Sequence, residues 1–180
     1  MQEVRAGAMA KLAVLFERHH RALFGYFMSM TRKQETAEDL VQDVFVRILR
    51  YRSSYDADRP FRTWMYQIAR NANLDHARKN RGEVVGIEEF GDRRPEPVSA
   101  ARGPEEASIR GQDIRLLQRA LDRLPADKRE ILVLSRFQGM KNEELAQVLD
   151  CEIGAVKVRI YRAMKALEEI YLALVGEKAS

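Results

Sequence analysis

Four cations recur at helical spacing near the end of this 180-residue chain. At about 100° per residue around a helix axis, they occupy one broad arc, and the opposite side is narrow and wholly apolar. Arginine can read guanine through two parallel hydrogen bonds, and both lysine and arginine can neutralise phosphates. A helix of this kind can pack on its own domain and insert its basic face into a major groove. The cations are Lys157, Arg159, Arg162 and Lys165.

The segment before these cations predicts a helix-turn-helix. Asn142 can cap a short helix that ends near Leu149, and Asp150 tolerates the left-handed backbone of a tight turn. A last helix is expected over residues 153–175. A solvated basic face is the alternative for this helix taken alone, but the preceding helix and turn favour duplex DNA as its partner.

A second group of cations lies beside aromatic and amide side chains in the first half of the chain. A helix is expected from about Phe61 to about Asn80, with Pro60 at its first position. Cations next to stacking surfaces and amides suit single-stranded DNA, whose unstacked bases are held in pockets. The alternative is that the aromatic residues belong to the core, which we favour for Trp64 and leave open for Tyr55 in the polar loop. The candidates are Tyr55, Arg62, Arg70, Asn71 and Arg78.

The elements that carry these residues are all predicted to be helices. After Thr36, which is expected to be an N-cap, apolar residues recur as a single stripe typical of a half-buried helix. No stretch alternates with period two over a useful length. The fold class is therefore all-α, with two small helical domains joined by a flexible acidic linker and the second domain ending in the helix-turn-helix. The stripe consists of Leu40, Val41, Val44, Phe45, Ile48 and Leu49.

Charge divides the chain into the same parts. The formal net charge is +4, but residues 10–82 carry +6, residues 83–112 carry −3 and residues 113–180 carry +1. The middle segment is also rich in glycine and proline, as linkers are. We expect domains over residues 10–82 and 113–175, a flexible acidic linker over residues 83–112, and a polyanion as the partner.

Several function classes are not expected from this sequence. No apolar run approaches the roughly 18–20 residues that cross a bilayer, and the N-terminus lacks a signal-peptide pattern. Cys151 and the three scattered histidines give no zinc spacing. Clustered carboxylates, a histidine-based acid–base pair and a Walker-type loop are also missing from the sequence. We expect a cytoplasmic protein with no cofactor, metal site, catalytic residue or membrane insertion.

Four motifs, in order around the linker, resemble the extracytoplasmic-function group of the sigma-70 family of bacterial RNA polymerase sigma factors. The polymerase-binding helix of that group is similar to DLVQDVF at residues 39–45. Its −10 recognition helix is similar to FRTWMYQIARN at residues 61–71. Its −35 domain is similar to LPADKR at residues 124–129 and GAVKVRI at residues 154–160.

The resemblance implies a transcription initiation factor that binds core RNA polymerase, the −35 element as duplex and the −10 element as a single strand. It also implies control by an anti-sigma factor, and an acidic linker that threads the polymerase's RNA channel. Tyr55 and Asn71 match positions that hold a flipped-out base. The positions that contact the polymerase clamp helices are Glu38, Asp39, Gln42 and Asp43. The recognition-helix positions that face the −35 groove are Lys157, Val158, Tyr161 and Arg162.

Two departures from the family pattern concern the −35 sequence. Val158 stands where the family often has serine, so a hydroxyl contact is lost and a contact with a thymine methyl group is allowed, and Glu152 is a poorer N-cap than the usual serine. The alternative function is a stand-alone helix-turn-helix regulator that binds duplex DNA without polymerase. It accounts for residues 142–168 but leaves the first domain and the linker without a role.

Overall fold

The structure, a computed structural model, describes residues 10–81 and 104–179 together with Met1 and Val4. These residues form α-helices and contain no strand, which confirms the all-α prediction for the described part of the chain. The helices of the first domain are α1 (Ala10–Thr31), α2 (Gln34–Arg50) and α3 (Phe61–Arg81). Those of the second domain are α4 (Pro104–Arg123), α5 (Ala126–Leu132), α6 (Asn142–Val148) and α7 (Ile153–Ala179).

The apolar stripe of α2 forms the centre of the first domain. Leu40, Val44, Phe45 and Ile48 are buried, and α2 packs against both α1 and α3. Full burial of an apolar side chain of this size contributes roughly 1.5–3 kcal/mol. The stripe therefore fixes which side of α2 faces solvent, and with it the direction of the helix's acidic residues.

Helix α2 begins three residues earlier than the sequence predicted. It starts at Gln34 with Lys33 in the N-cap position, so the prediction that Thr36 caps this helix is wrong. Arg32 adopts a φ of 60°, and its N–H donates to the carbonyl of Met28. Because this left-handed residue ends α1 abruptly, only Lys33 separates the turn from the next helix.

The second domain begins inside the predicted linker. Helix α4 starts at Pro104, so residues 104–112 of that linker are helical, and residues 83–103 lie outside the described residues. Pro125 occupies the N-cap position of α5. A π-helical segment, Val133–Phe137, continues α5, and the chain then turns at Gly139 with a φ of 60°. This is the left-handed conformation that a glycine stop predicts.

The helix-turn-helix forms through a tight turn after α6. Asp150 takes a φ of 49°, as the sequence predicted, and its N–H donates to the carbonyl of Gln147. The N–H of Cys151 donates to the carbonyl of Ala146 at 3.0 Å. These two bonds make a Schellman motif, which satisfies the last carbonyls of α6 and directs the chain into α7.

The start of α6 differs from the prediction by one residue. Lys141, not Asn142, holds the N-cap position, so the proposed asparagine cap is wrong. The backbone of Lys141 is extended, and its N–H donates to Oε2 of Glu144 at 2.8 Å. The carboxylate of the first turn thus satisfies the backbone at the helix start.

The two domains lie directly against each other. Helix α5 packs on α1, and α6 packs on α3, so buried residues from both domains form one continuous core. Their relative placement was not predicted from the sequence. It brings the first helix of the helix-turn-helix onto the helix that carries the candidate single-strand residues.

Candidate DNA and polymerase interfaces

Helix α7 turns its basic face to solvent and its apolar face to its own domain. Val156 and Ala163 are fully buried, whereas Ile160 and Leu167 are half-buried. Every residue that the sequence assigned to the −35 contact is exposed, and Tyr161 is 69% exposed. The helix is therefore free to enter a groove along one face. The exposed set is Lys157, Val158, Arg159, Tyr161, Arg162 and Lys165.

One of these cations is also attached to the turn. The Nη1 atom of Arg159 lies 3.6 Å from Sγ of Cys151, as a weak N–H to sulfur hydrogen bond. The contact holds the guanidinium at the start of α7, where a recognition helix presents its base-reading side chains.

A cleft of about 450 Å³ opens between α2 and α3. Two of the predicted −10 residues, Asn71 and Arg78, line this cleft, together with the rings of Tyr51 and Trp64. An amide, a cation and two aromatic faces are the groups that hold an unstacked base. The remaining lining residues are Arg47, Ser54, Gln67, Ile68, Leu74 and Asp75.

Arg47 joins the two helices that form the cleft, a role that the sequence analysis missed. Its Nε lies 2.8 Å from Oδ2 of Asp43 on α2, and its Nη1 lies 2.8 Å from Oδ2 of Asp75 on α3. Desolvation lowers the pKa of Arg47, but bonding to Asp75 and the charge of Asp43 outweigh it, so the net pKa is raised. The four-residue spacing of Asp43 and Arg47 could have predicted the contact between these two residues, but not the contact with Asp75.

Tyr55 lies in the core of the first domain, not on an open surface. Its ring is 6% exposed and packs 5.1 Å from Trp64 and 6.2 Å from Phe61 between centroids. Its hydroxyl donates to the carbonyl of Arg59 at 2.9 Å, and burial with the charge of Asp56 raises its pKa. Of the two interpretations left open, the structure favours core packing, so the ring does not stack on a base in this conformation.

The arginines of α3 point in different directions. Arg78 is exposed beside the cleft and lies 3.8 Å from Asp75. The guanidinium of Arg62 lies over the ring of Tyr66, 5.9 Å from its centroid. Arg70 instead faces the second domain, where its Nε lies 3.3 Å from Oε2 of Glu130. Of the −10 candidates, Asn71 and Arg78 therefore lie at the cleft, Arg70 lies at the domain boundary, and Tyr55 is buried in the first domain.

The predicted polymerase-binding residues lie together along α2. Glu38, Asp39 and Gln42 are exposed, opposite the buried stripe, whereas Asp43 is half-buried against Arg47. Glu38 also accepts a hydrogen bond from Gln34 at 2.9 Å. The result is a small acidic surface that a basic partner can dock on.

Within the described residues, there is no cluster of three or more histidine, cysteine, aspartate or glutamate side chains arranged to hold a metal ion. Over the same residues, none of the helices has the length and apolar character needed to span a bilayer.

Two family profiles match the chain, one in each domain. Residues 15–83 match Sigma-70 region 2, and residues 114–167 match Sigma-70, region 4. The first match covers the helices of the cleft and the acidic surface. The second covers the helix-turn-helix with its basic face.

Individual relatives give the same result. The RNA polymerase sigma factor CarQ of Myxococcus xanthus is 33% identical, and the alignment covers 94% of each chain. The ECF RNA polymerase sigma factor SigW of Bacillus subtilis is 27% identical over 94% of this chain and 93% of its own. Among solved structures, the sigma factor RpoE of Bartonella quintana, in complex with the anti-sigma factor NepR, superposes with a TM-score of 0.72. That match has 27% identity and covers 89% of this chain and 96% of the other.

Proposed function

Since this chain belongs to the extracytoplasmic-function group of the sigma-70 family, we propose that it binds core RNA polymerase and directs it to promoters through −35 and −10 elements. It acts by recognition and carries out no covalent step of its own. The observation that supports this most strongly is the presence in one chain of an exposed basic recognition helix and an acidic α2 surface. A regulator that binds only duplex DNA needs the basic recognition helix but not the acidic surface of α2.

The −35 contact is assigned to α7. Its N-terminal half carries Lys157, Arg159 and Arg162 on the exposed side, where they can reach base edges and phosphates of a major groove. Val158 and Tyr161 are exposed beside them and supply apolar contacts. Lys165, one turn further on, is assigned to a phosphate.

The −10 contact is assigned to the cleft between α2 and α3. Asn71 can hydrogen-bond a base edge, Trp64 and Tyr51 can stack on it, and Arg78 can neutralise a phosphate. Unstacking a base costs a few kcal/mol, so melting proceeds only if such a site captures the base. Arg62 and Arg70 lie on α3 outside the cleft, Arg62 over the ring of Tyr66 and Arg70 paired with Glu130, and we assign both to backbone phosphates of the same strand.

The polymerase contact is assigned to Glu38, Asp39, Gln42 and Asp43. Asp39 is the cleanest position for a test, because it is exposed and Asp43 is engaged by Arg47. The Bartonella relative was solved with an anti-sigma factor, and by that likeness we assign an anti-sigma partner to this chain as well. We assign the polymerase and −10 functions to residues 10–82 and the −35 function to residues 113–175, although α4 itself begins earlier, at Pro104.

Binding of core polymerase tests this function. The wild-type chain should co-elute with core enzyme, and Asp39→Lys should weaken that binding about tenfold or more, because like charges then meet at the contact. The matched control is Glu17→Lys, an equal charge reversal at an exposed position of α1. If the wild type binds duplex DNA but not core polymerase, the chain is a stand-alone regulator. If Asp39→Lys binds like the wild type, the α2 assignment is wrong.

A further inference from the structure

Three basic side chains from two helices meet on one side of the first domain, outside the cleft. Arg18 and His19 lie on α1, and Arg62 lies in the first turn of α3. The imidazole ring of His19 packs on the ring of Phe61, the chain neighbour of Arg62, with 5.3 Å between the ring centroids. Arg18 is exposed, whereas His19 and Arg62 are half-buried. We refer to these three residues as the α1–α3 basic cluster.

The α1–α3 basic cluster has no bonded acidic partner. Arg70, the next arginine of α3, pairs with Glu130. In the part of the chain that the structure describes, neither Arg18 nor Arg62 forms an ion pair with a carboxylate. Two guanidinium groups therefore keep their donors available for an anion from outside the fold.

The pKa of His19 reflects this arrangement. Partial burial lowers it, and the positive charges of Arg18 and Arg62 lower it further. Helix α2, which also packs on α1, presents its apolar stripe to that helix, and the carboxylate of Glu130 in α5 faces Tyr26, two turns further along α1. The imidazole is therefore neutral at pH 7, and a third positive charge is favourable there only when an anion offsets the other two.

The α1–α3 basic cluster lies on the opposite side of α3 from the cleft. Arg62 and Asn71 are separated by about two and a half helical turns, which corresponds to about 180° around the helix and about 13.5 Å along its axis. Because Arg62 is in the first turn, the path between the two sites around the N-terminal end of α3 is short. A single strand held at the cleft can therefore reach the cluster with another part of its backbone.

We propose that the α1–α3 basic cluster binds a backbone phosphate of single-stranded DNA, so that α1 takes part in holding the −10 strand together with α3. The inference rests on the proposed function, because it takes α3 as the helix that holds this strand. Arg18 and Arg62 supply two fixed charges and the donors that match phosphate oxygens. His19 takes up a proton from solvent when the strand binds and supplies a further donor, since the phosphate charge raises the pKa of the imidazole. The site touches no base, so it contributes affinity and orientation but no sequence preference.

The test measures the binding of a short, fluorescently labelled strand of thymidines to the full chain by anisotropy, at low salt and without polymerase. Thymine has no group that titrates between about pH 5.5 and 8, so a pH dependence in this range belongs to the protein. The variants are Arg18→Gln and His19→Gln. The matched control is Arg119→Gln, which removes the same charge as Arg18→Gln from an exposed position of α4. Circular dichroism establishes that each variant is folded.

Arg18→Gln should weaken strand binding about three- to tenfold, because a charged contact with phosphate is lost. It should also reduce the slope of log affinity against log salt concentration by about 0.7, the value of one phosphate contact on a single strand. Arg119→Gln should leave both the affinity and the slope at their wild-type values.

The pH dependence should identify His19. The wild-type affinity should rise as the pH falls from about 8 to about 5.5, because binding takes up a proton at the imidazole, and His19→Gln should lose most of this rise. In NMR titrations the ring signals of His19, assigned with the His19→Gln variant, should give a higher pKa with the strand than without it. Inorganic phosphate at the same concentration should not reproduce the shift, since a free anion has no second anchor at the cleft.

A folded Arg18→Gln variant with wild-type affinity and wild-type salt slope would overturn the phosphate site, as would a wild-type chain that binds no strand at low salt. A pKa of His19 that the strand leaves unchanged would overturn the role of that residue. An equal shift with inorganic phosphate would make the cluster a general anion site and overturn its assignment to the strand.

These readouts are separate from polymerase binding. A chain that binds core polymerase while Arg18→Gln binds strands like the wild type refutes the phosphate site alone. A chain whose strand binding depends on Arg18 but that never binds core polymerase refutes the proposed function alone.

Discussion

Arg47 is the residue on which the geometry of the cleft depends most directly. It reaches Asp43 on its own helix and Asp75 on the next, so one guanidinium fixes the spacing of α2 and α3. Both carboxylates are partly exposed, which limits the energy of each pair. The bridge is therefore a positioning element more than a large source of stability.

Replacing Arg47 should have a small, measurable effect. Arg47→Met should lower the free energy of unfolding by about 1 kcal/mol, because two partly exposed ion pairs are lost. Arg47→Lys should lose less, since an ammonium can keep one of the two carboxylates. Urea unfolding measures both, with Arg50→Met, an exposed arginine of the same helix, as the control. Equal unfolding curves for Arg47→Met and the wild type would show that the bridge between α2 and α3 does not stabilise the fold.

Substitutions at Tyr55 can distinguish a structural role for this tyrosine from a direct contact with DNA. Because the ring is buried against Phe61 and Trp64, Tyr55→Ala should cost about 3–5 kcal/mol, in the range of a buried aromatic truncation. Tyr55→Phe keeps the ring and loses only the bond to the Arg59 carbonyl, at about 1 kcal/mol. Thermal unfolding gives both values. A Tyr55→Ala variant that unfolds like the wild type but fails to bind single strands would instead make the ring a direct base contact.

The turn between α6 and α7 sets the angle at which the recognition helix leaves the domain. Asp150 is in the left-handed region, and the bonds of the Schellman motif on either side depend on that conformation. Aspartate tolerates it, glycine adopts it without steric cost, and a β-branched residue resists it.

Substitutions at Asp150 should follow this order. Asp150→Gly should leave the melting temperature unchanged or raise it slightly, whereas Asp150→Val should lower the free energy of unfolding by about 1–3 kcal/mol. Calorimetry of the full chain checks both. If Asp150→Val is as stable as Asp150→Gly, the left-handed turn does not constrain the helix-turn-helix.

At the scale of the whole molecule, two buried tyrosines connect the domains. Burial raises the pKa of Tyr66 to about 12, and burial with the charge of Glu130 raises the pKa of Tyr26 well above its ordinary value. Between pH 10 and 12 the unfolded chain ionises at Tyr66 while the folded chain remains protonated there. The unfolded state then binds fewer protons, so stability must fall as the pH rises through this range.

Alkaline unfolding tests this linkage. The free energy of unfolding should drop above pH 10, and Tyr66 alone should account for about 1.4 kcal/mol at pH 11. Tyr66→Phe should show a shallower drop than the wild type, because its contribution no longer titrates. Urea titrations at several pH values give the slopes. Identical slopes for the two proteins would mean that Tyr66 ionises as easily in the fold as in the unfolded chain.

The sequence predicted the helices and the exposed basic face of α7 well, because those features depend on local periodicity. The stripe of α2, the left-handed Asp150 and the exposed cations of α7 are all readable from spacing. The predicted N-caps at Thr36 and Asn142 were wrong, by three residues and by one residue, because local hydrogen bonds that the spacing does not specify decide where a helix begins. The contacts of Arg47 with Asp75 and of Glu130 with Arg70 join residues far apart in the chain, and no local pattern encodes them.

Promoter-specific initiation with core RNA polymerase can be measured by in vitro transcription over a randomised promoter library. The wild-type chain with core enzyme should yield transcripts whose templates share two motifs, one near −35 and one near −10. Asp39→Lys should yield few, because it cannot recruit the polymerase. If the transcripts are no more abundant and no more sequence-specific than those from core enzyme alone, the chain does not direct promoter-specific initiation.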